Sequence, residues 1–316
     1  MHISALCALI SLVGPSAAHG VVTLIRGANG VDMPGLSIID GTPRTCSTNR
    51  CGSQADTAII RDREIRSGRV GPLGRTQGSG PVDAAVMIAR FMGTSTGATT
   101  LRTNTSLEFD DPAEDPIDVS RLSRLADAGR ERGGRNNQKR GMLMVARQFL
   151  SRLREGLGRG GTASTEEVER NVAALAGLGA TAGLPTCADD GTIEMVFHQV
   201  NQDGAGPLEA MVDGTSGGTD LAAFKPARVI QDVPGFGFQG LSLATSRDFP
   251  LRVQMPEGMT CDATVAGVSN VCIVRVRNNA AAGPFGGSAA FTQSPAARKR
   301  AIEYRMKMRR AVEFKA

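Results

Sequence analysis

The sequence predicts an all-β fold, an antiparallel β-sandwich, on two observations. Short runs of alternating apolar and polar residues recur at 192–200 (TIEMVFHQV), 249–255 (FPLRVQM) and 272–277 (CIVRVR). Clusters of Gly, Pro, Asn and Asp separate them, as the turns of a sandwich require. In the first run Ile193, Met195 and Phe197 share one face, while Glu194, Val196 and His198 share the other. His198 closes that strand just before the turn-rich residues 201–207 (NQDGAGP), and rigid scaffolds place functional groups at such ends.

The chain opens with an apolar stretch from Ile3 to Val13, then Gly14 and Pro15, then small residues at Ser16 and Ala18. This is the pattern of a secretory signal peptide, residues 1–18, with cleavage after Ala18. The apolar stretch is about half of the roughly 20 residues needed to span a bilayer, and nothing later approaches that length. A secreted, extracellular protein without a membrane span is therefore expected. Residues 19–297 then form a single sandwich domain.

Composition shifts across residues 93–182. Ser, Thr, Gly and Asn come first, then an acidic block at 108–118 with six carboxylates, then a Gly-interrupted basic stretch at 121–159. Adjoining blocks of opposite charge read as a long, largely disordered insertion. It carries the one glycosylation sequon of the mature chain, at Asn104, and a helical apolar period at 141–153. A basic tail, residues 298–316, ends the chain. It holds eight Lys or Arg against Glu303 and Glu313, so the formal net charge of +5 belongs to the tail. Tyr304 and Phe314 are its only aromatics, too few for the repeated aromatic interleaving of a nucleic-acid surface, so nucleic acid is not expected as a partner. The dibasic pairs Lys139-Arg140 and Lys299-Arg300 are candidate processing sites where the backbone is flexible.

Five cysteines remain in the mature chain, and secretion favours disulfides. Cys261 and Cys272 flank a hairpin and form the best pair. Cys187 is expected to meet Cys46 or Cys51, and the odd count leaves one thiol unpaired.

Histidine is scarce. His2 leaves with the signal, so the mature chain keeps only His19, at its new terminus, and His198. A terminal histidine offers its α-amine and its ring together, and the amine, with a reference pKa near ~7.7–8.0, yields its proton to a metal easily. One more imidazole completes three nitrogens, the tetragonal set that Cu(II) prefers. His19 and His198 are therefore candidate ligands for one copper ion, at a site expected near the surface. The competing reading makes His198 a satisfied core histidine and the cleavage point a coincidence.

Several segments carry a resemblance across the mature chain. They are 19–22 (HGVV), 26–30 (RGANG), 40–44 (DGTPR), 59–65 (IIRDREI), 198–207 (HQVNQDGAGP), 282–287 (AGPFGG) and 294–300 (SPAARKR). Together they closely resemble the fungal appressorium-associated virulence factors of the MAS or Egh-like family, which are similar in turn to lytic polysaccharide monooxygenases. The resemblance implies an immunoglobulin-like sandwich and assigns His19 and His198 to copper. It puts Phe285 on the axial side of the metal as a non-ligating part of the catalytic set, with Arg275, Arg277 and Asn278 as supporting donors.

The implied function is oxidative cleavage of a cell-wall polysaccharide by a monomeric, virulence-associated copper enzyme fed by an external electron donor. The alternative is a non-catalytic copper binder, or a metal-free adhesin contacting the wall or a host surface. The chain has no Trp and one Tyr, in the tail, so it lacks the aromatic platform suited to flat crystalline glycans. The GxGxxG match at 235–240 stands in no strand–turn–helix unit, which excludes a dinucleotide site.

Overall fold

A computed structural model describes residues 19–95 and 160–313. The signal segment, the sequon at Asn104, the period at 141–153 and the Arg140 pair lie outside the described residues. Thirteen strands carry the fold: β1 (Gly20–Arg26), β2 (Asp32–Pro34), β3 (Ala58–Ile59), β4 (Arg75–Thr76), β5 (Gly80–Pro81), β6 (Thr162–Ala163), β7 (Thr192–Gln199), β8 (Glu209–Asp213), β9 (Phe224–Gln231), β10 (Arg247–Gln254), β11 (Ala263–Val265), β12 (Val268–Arg277) and β13 (Phe285–Phe291). The helices are α1 (Asp62–Arg66), α2 (Ala84–Phe91), α3 (Asn171–Ala174), α4 (Gly179–Ala182) and α5 (Pro295–Glu313).

The fold is all-β, and every pairing between these strands is antiparallel. The strand order is β2-β1-β7-β10-β9-β8-β12-β13-β3-β4-β5. Its two layers are halves of one sheet that curls at β9. The first part of β9 pairs with β8, through Phe224↔Asp213 to Ala227↔Ala210, and the second with β10, through Arg228↔Gln254. The open ends of the curl meet where β13 crosses β1. A Cβ on Gly287 would come within 2.7 Å of the Val22 nitrogen, so glycine there lets the layers close.

Alternation explains the core. β7 lies between β1 and β10, and its inward residues pair as Ile193↔Val253, Met195↔Leu251 and Phe197↔Phe249. All six are essentially buried, each contributing about 1.5–3 kcal/mol by leaving water. The outward partners are polar or half-open, as in the Arg252–Glu194 ion pair at 3.0 Å. The faces read from the sequence are those of the folded strand.

Three details depart from the sequence reading. Cys261 and Cys272 are bonded as expected, but Cys46 pairs with Cys51, and Cys187 is the free, buried thiol. Cys187 lies in the main apolar core, tied to Thr292 by a backbone hydrogen bond of 2.9 Å, whereas Cys46 and Cys51 close one small, partly exposed loop. Burial pushes the Cys187 thiol pKa up, which keeps it protonated and inert.

Secondly, the end of the presumed insertion is structural. Residues 162–182 supply β6, which pairs with β10, and helices α3 and α4. Glu169 is buried beside Arg44 and Asp56. Arg44 donates to Asp56 at 2.5 and 3.1 Å and to Glu169 at 2.9 and 3.1 Å. The three side chains are 3%, 0% and 3% exposed for Arg44, Asp56 and Glu169. Asp40, from the same DGTPR segment, accepts from the Val172 and Ala173 amides and holds the start of α3.

Thirdly, the basic tail is mostly helix α5. Ser294 caps it, its hydroxyl accepting from Ala297 N at 3.1 Å, and Pro295 opens its first turn. Ala297 and Ala301 seat the first turns on the sandwich. Arg298 donates to the Cys261 carbonyl and Arg300 to the Asp189 carbonyl. The flexible backbone expected around Lys299-Arg300 is therefore replaced by a docked helix. Among the described residues no helix is long and apolar enough to cross a membrane.

Candidate functional site

The two histidines fall at the same end of the β1–β7 ladder. Val21 pairs with His198 and Gly20 with Gln199, and the His19 carbonyl accepts from Val200 N at 2.9 Å, extending the ladder by one position. His198 is thus the diagonal neighbour of His19, a relation with a Cα separation of about 7–8 Å that long and aromatic side chains bridge.

The segment 198–207 wraps around His19. Asn201 Oδ1 accepts from the His19 backbone nitrogen at 2.8 Å, and its Nδ2 lies 3.4 Å from His19 Nδ1. Gln199 holds the turn, its Nε2 lying 2.6–2.9 Å from Asn201 O, Ser242 Oγ and Ala244 O, among which its two N–H groups are shared. Any Cβ on Gly204 would collide with the His19 carbonyl. Gly204→Ala is expected to cost about 1–3 kcal/mol by overpacking, read as a lowered denaturation midpoint.

β10 orients His198. Asp248 is its direct partner across the ladder, and Asp248 Oδ1 lies 2.7 Å from His198 Nδ1. An Nδ1–H donated to this carboxylate fixes the tautomer and leaves the Nε2 lone pair available. Nε2 is buried and has no hydrogen-bond partner among the described residues.

Phe285 comes from the opposite layer, and its ring centroid is 4.5 Å from that of His19, tilted by 35°. Asn278 holds it there. Asn278 Oδ1 accepts from Phe285 N at 3.1 Å, and Nδ2 donates to the Asp203 carbonyl at 3.1 Å. Asn278 thereby ties the ring to the loop around His19. The arginines named with it lie elsewhere in their contacts. Arg275 is buried over the Phe224 ring and donates to the Pro72 carbonyl, with its pKa pushed down to about 10 by burial. Arg277 pairs with Asp62 and Glu209.

Both histidines are fully buried, not at the surface as expected. Phe285, Asn201 and the Gly204 backbone crowd His19, and strands flank His198 on both sides. No cluster of three or more His, Cys, Asp or Glu side chains suited to a metal occurs among the described residues. A set of two imidazoles and one amine would not form such a cluster, and these residues fit that set. Sequence reasoning missed Asp248 and the part played by Asn201. Asn201 lay inside a quoted motif, but Asp248 required the strand register.

The class defined by these features is an antiparallel sandwich with two histidines, a supporting carboxylate and an aromatic ring gathered at one end. The model of the Egh16-like virulence factor family matches residues 17–286, and the chain belongs to that family. It is similar to the appressoria-specific virulence factor GAS2 of Pyricularia oryzae, 53% identical over 293 residues that cover 93% of this chain and 89% of the relative. It is also similar to the appressoria-specific virulence factor GAS1 of the same fungus, 40% identical over 123 residues, or 38% of this chain and 47% of the relative. No solved structure matches.

Proposed function

We propose that the chain is secreted, is cleaved after Ala18, and then holds one copper ion through the His19 amine, the His19 ring and His198 Nε2, acting oxidatively on a cell-wall polysaccharide during host penetration. The observation that carries this reading is the His198–Asp248 contact of 2.7 Å, with Nε2 left unpartnered on a residue whose strand position is diagonal to the prospective terminus. A buried imidazole with one nitrogen fixed by a carboxylate and the other unpaired suits a metal better than a satisfied core. The names of the relatives support the appressorial setting.

Copper bound there would supply one-electron chemistry, drawing on an external electron donor and on oxygen or peroxide to remove hydrogen from a sugar carbon. The chain's own residues act around it. Asn201 Oδ1, which accepts from the His19 nitrogen at 2.8 Å, orients the amine that cleavage creates. Asp248 engages His198 Nδ1 and holds the ring in place. Phe285 covers one face of His19 and, having no donor atom, adds no ligand.

Asp248→Asn is expected to weaken Cu(II) binding by about 10–100-fold, the usual effect of losing such a partner, by competition against a chelator. Oxidised sugar products from wall material, found only with copper and a reductant, test the catalytic part. The second reading, a non-catalytic copper binder or metal-free surface factor, is favoured by the missing platform, since the exposed aromatics among the described residues are Phe238 and Tyr304. Copper binding without oxidised products would select the first of these, and no copper binding the second.

A further inference from the structure

At the far end of β7 from His198 a cavity of about 350 Å³ opens between helix α5 and the turn after β10. The seven steps along β7, at about 3.3 Å each, separate it from the histidines by roughly 20 Å. Its walls carry Tyr304 and Arg300 from α5, Arg228 from β9, and Glu257 with Gly258 from the turn.

Tyr304 is held in place yet open, with 37% of its surface exposed. Its ring rests on Gly258, where φ is +73° and a Cβ would come within 3.0 Å of the ring. The neighbouring Glu257 carboxylate holds the phenol pKa above its ordinary value. An aromatic ring fixed in this way presents a stacking surface at little entropic cost.

Three carboxylates, Asp189, Asp190 and Glu257, line the groove beside the two arginines. Two of them are turned to donors of the chain, Asp189 to the Ser294 hydroxyl and Asp190 to Thr192 N, and the surplus of positive charge comes from the helix beside the groove. Arg228 has no ion-pair partner among the described residues. Beyond the groove α5 runs on with its side chains exposed from Ile302 to Ala311. From Arg298 to Arg310 it bears seven Lys or Arg against Glu303. Its exposed apolar side chains fall into two short pairs, Ile302 with Met306 and Tyr304 with Met308; the pairs lie about 200° apart around the helix with arginines and Lys307 between them, so they form no single continuous stripe for a bilayer.

We infer that this groove and the basic helix beside it form a second carbohydrate site, which takes an acidic polysaccharide of the polyuronate class. Tyr304 stacks on a sugar ring, Arg228 and Arg300 pair with uronate carboxylates, and the remaining helix cations follow the polymer. The inference rests on the reading of the chain as an extracellular protein acting at a cell wall.

The test uses the full mature chain, free of copper, in titrations with polygalacturonate, neutral cello-oligosaccharides, polyaspartate and phosphatidylserine vesicles. Polygalacturonate is expected to bind best, and to weaken with salt as the Debye length falls from about 10 Å at 0.1 M to about 3 Å at 1 M. Tyr304→Ala and Arg228→Gln should each weaken it by about tenfold, a loss close to one good contact. Tyr304→Phe should retain most of the binding, and all three variants should keep the wild-type melting midpoint and Cu(II) titration. Absence of polygalacturonate binding, equal or tighter binding of polyaspartate or vesicles, or wild-type affinity in Tyr304→Ala would each overturn the inference. The Cu(II) titration reads the histidine site separately, so either proposal can fail alone.

Discussion

Replacing Arg44 with methionine is expected to destabilise the protein by about 3–5 kcal/mol, the cost of removing one member of a buried ion cluster. The guanidinium bonds two carboxylates, Asp56 and Glu169, and all three groups are at most 3% exposed. Methionine fills much of the same volume but leaves two anions without their countercharge. Backbone amides offset only part of this, since Ile39 N donates to Asp56 at 3.4 Å and the Arg170 and Asn171 amides donate to Glu169 at 3.1 and 3.0 Å. Arg44 itself is held charged, its pKa raised by the two carboxylates against the opposing effect of burial.

Urea denaturation checks the value. A second variant, Arg44→Met with Glu169→Gln, should recover part of the loss, because one uncompensated charge is gone. Recovery would locate the cost in the ion cluster, while a loss within 1 kcal/mol for Arg44→Met alone would show that the cluster does not hold the two segments together. The cluster also explains why the segment at 40–44 and the structured end of the insertion belong to one body.

How far the sequence disclosed this structure depended on the range of each interaction. The faces of β7 and β10 were legible because period-2 alternation is local, and Cys261–Cys272 because the two residues flank one hairpin. Cys187 misled because nothing local indicates that it lies within the main core, hydrogen-bonded to the residue that follows β13. Arg44 and Glu169 are separated by 125 positions that include most of the insertion, so their pairing left no local trace. Helix α5 was hidden by its charge. Only Ala297 and Ala301 mark its buried side, although the Ser294-Pro295 start signal was present. At the candidate site both histidines and Phe285 were named from the sequence, and the fold brings His19 and Phe285 into ring contact. Asp248 was not named, because an acidic residue before FPL has no local feature that distinguishes it from a solvated charge. The register Asp248↔His198 gives it meaning.

The other large effect concerns copper. His198→Ala and a one-residue extension before His19 should each remove most high-affinity Cu(II) binding. The first deletes one of three nitrogens, and the second converts the terminal amine into a peptide nitrogen that keeps its proton. Each loss should exceed the roughly 10–100-fold effect of an outer partner such as Asp248. Phe285→Ala should leave affinity nearly intact, since phenylalanine offers no ligand, while altering reactivity.

The most direct measurement is a Cu(II) titration, followed by electron paramagnetic resonance, of three proteins: the chain beginning at His19, the same chain with one added residue, and the His198→Ala variant. The copper-brace reading requires one tight, nitrogen-coordinated Cu(II) per molecule in the first and its loss in the other two. Equal binding in all three, or none in the first, would contradict it.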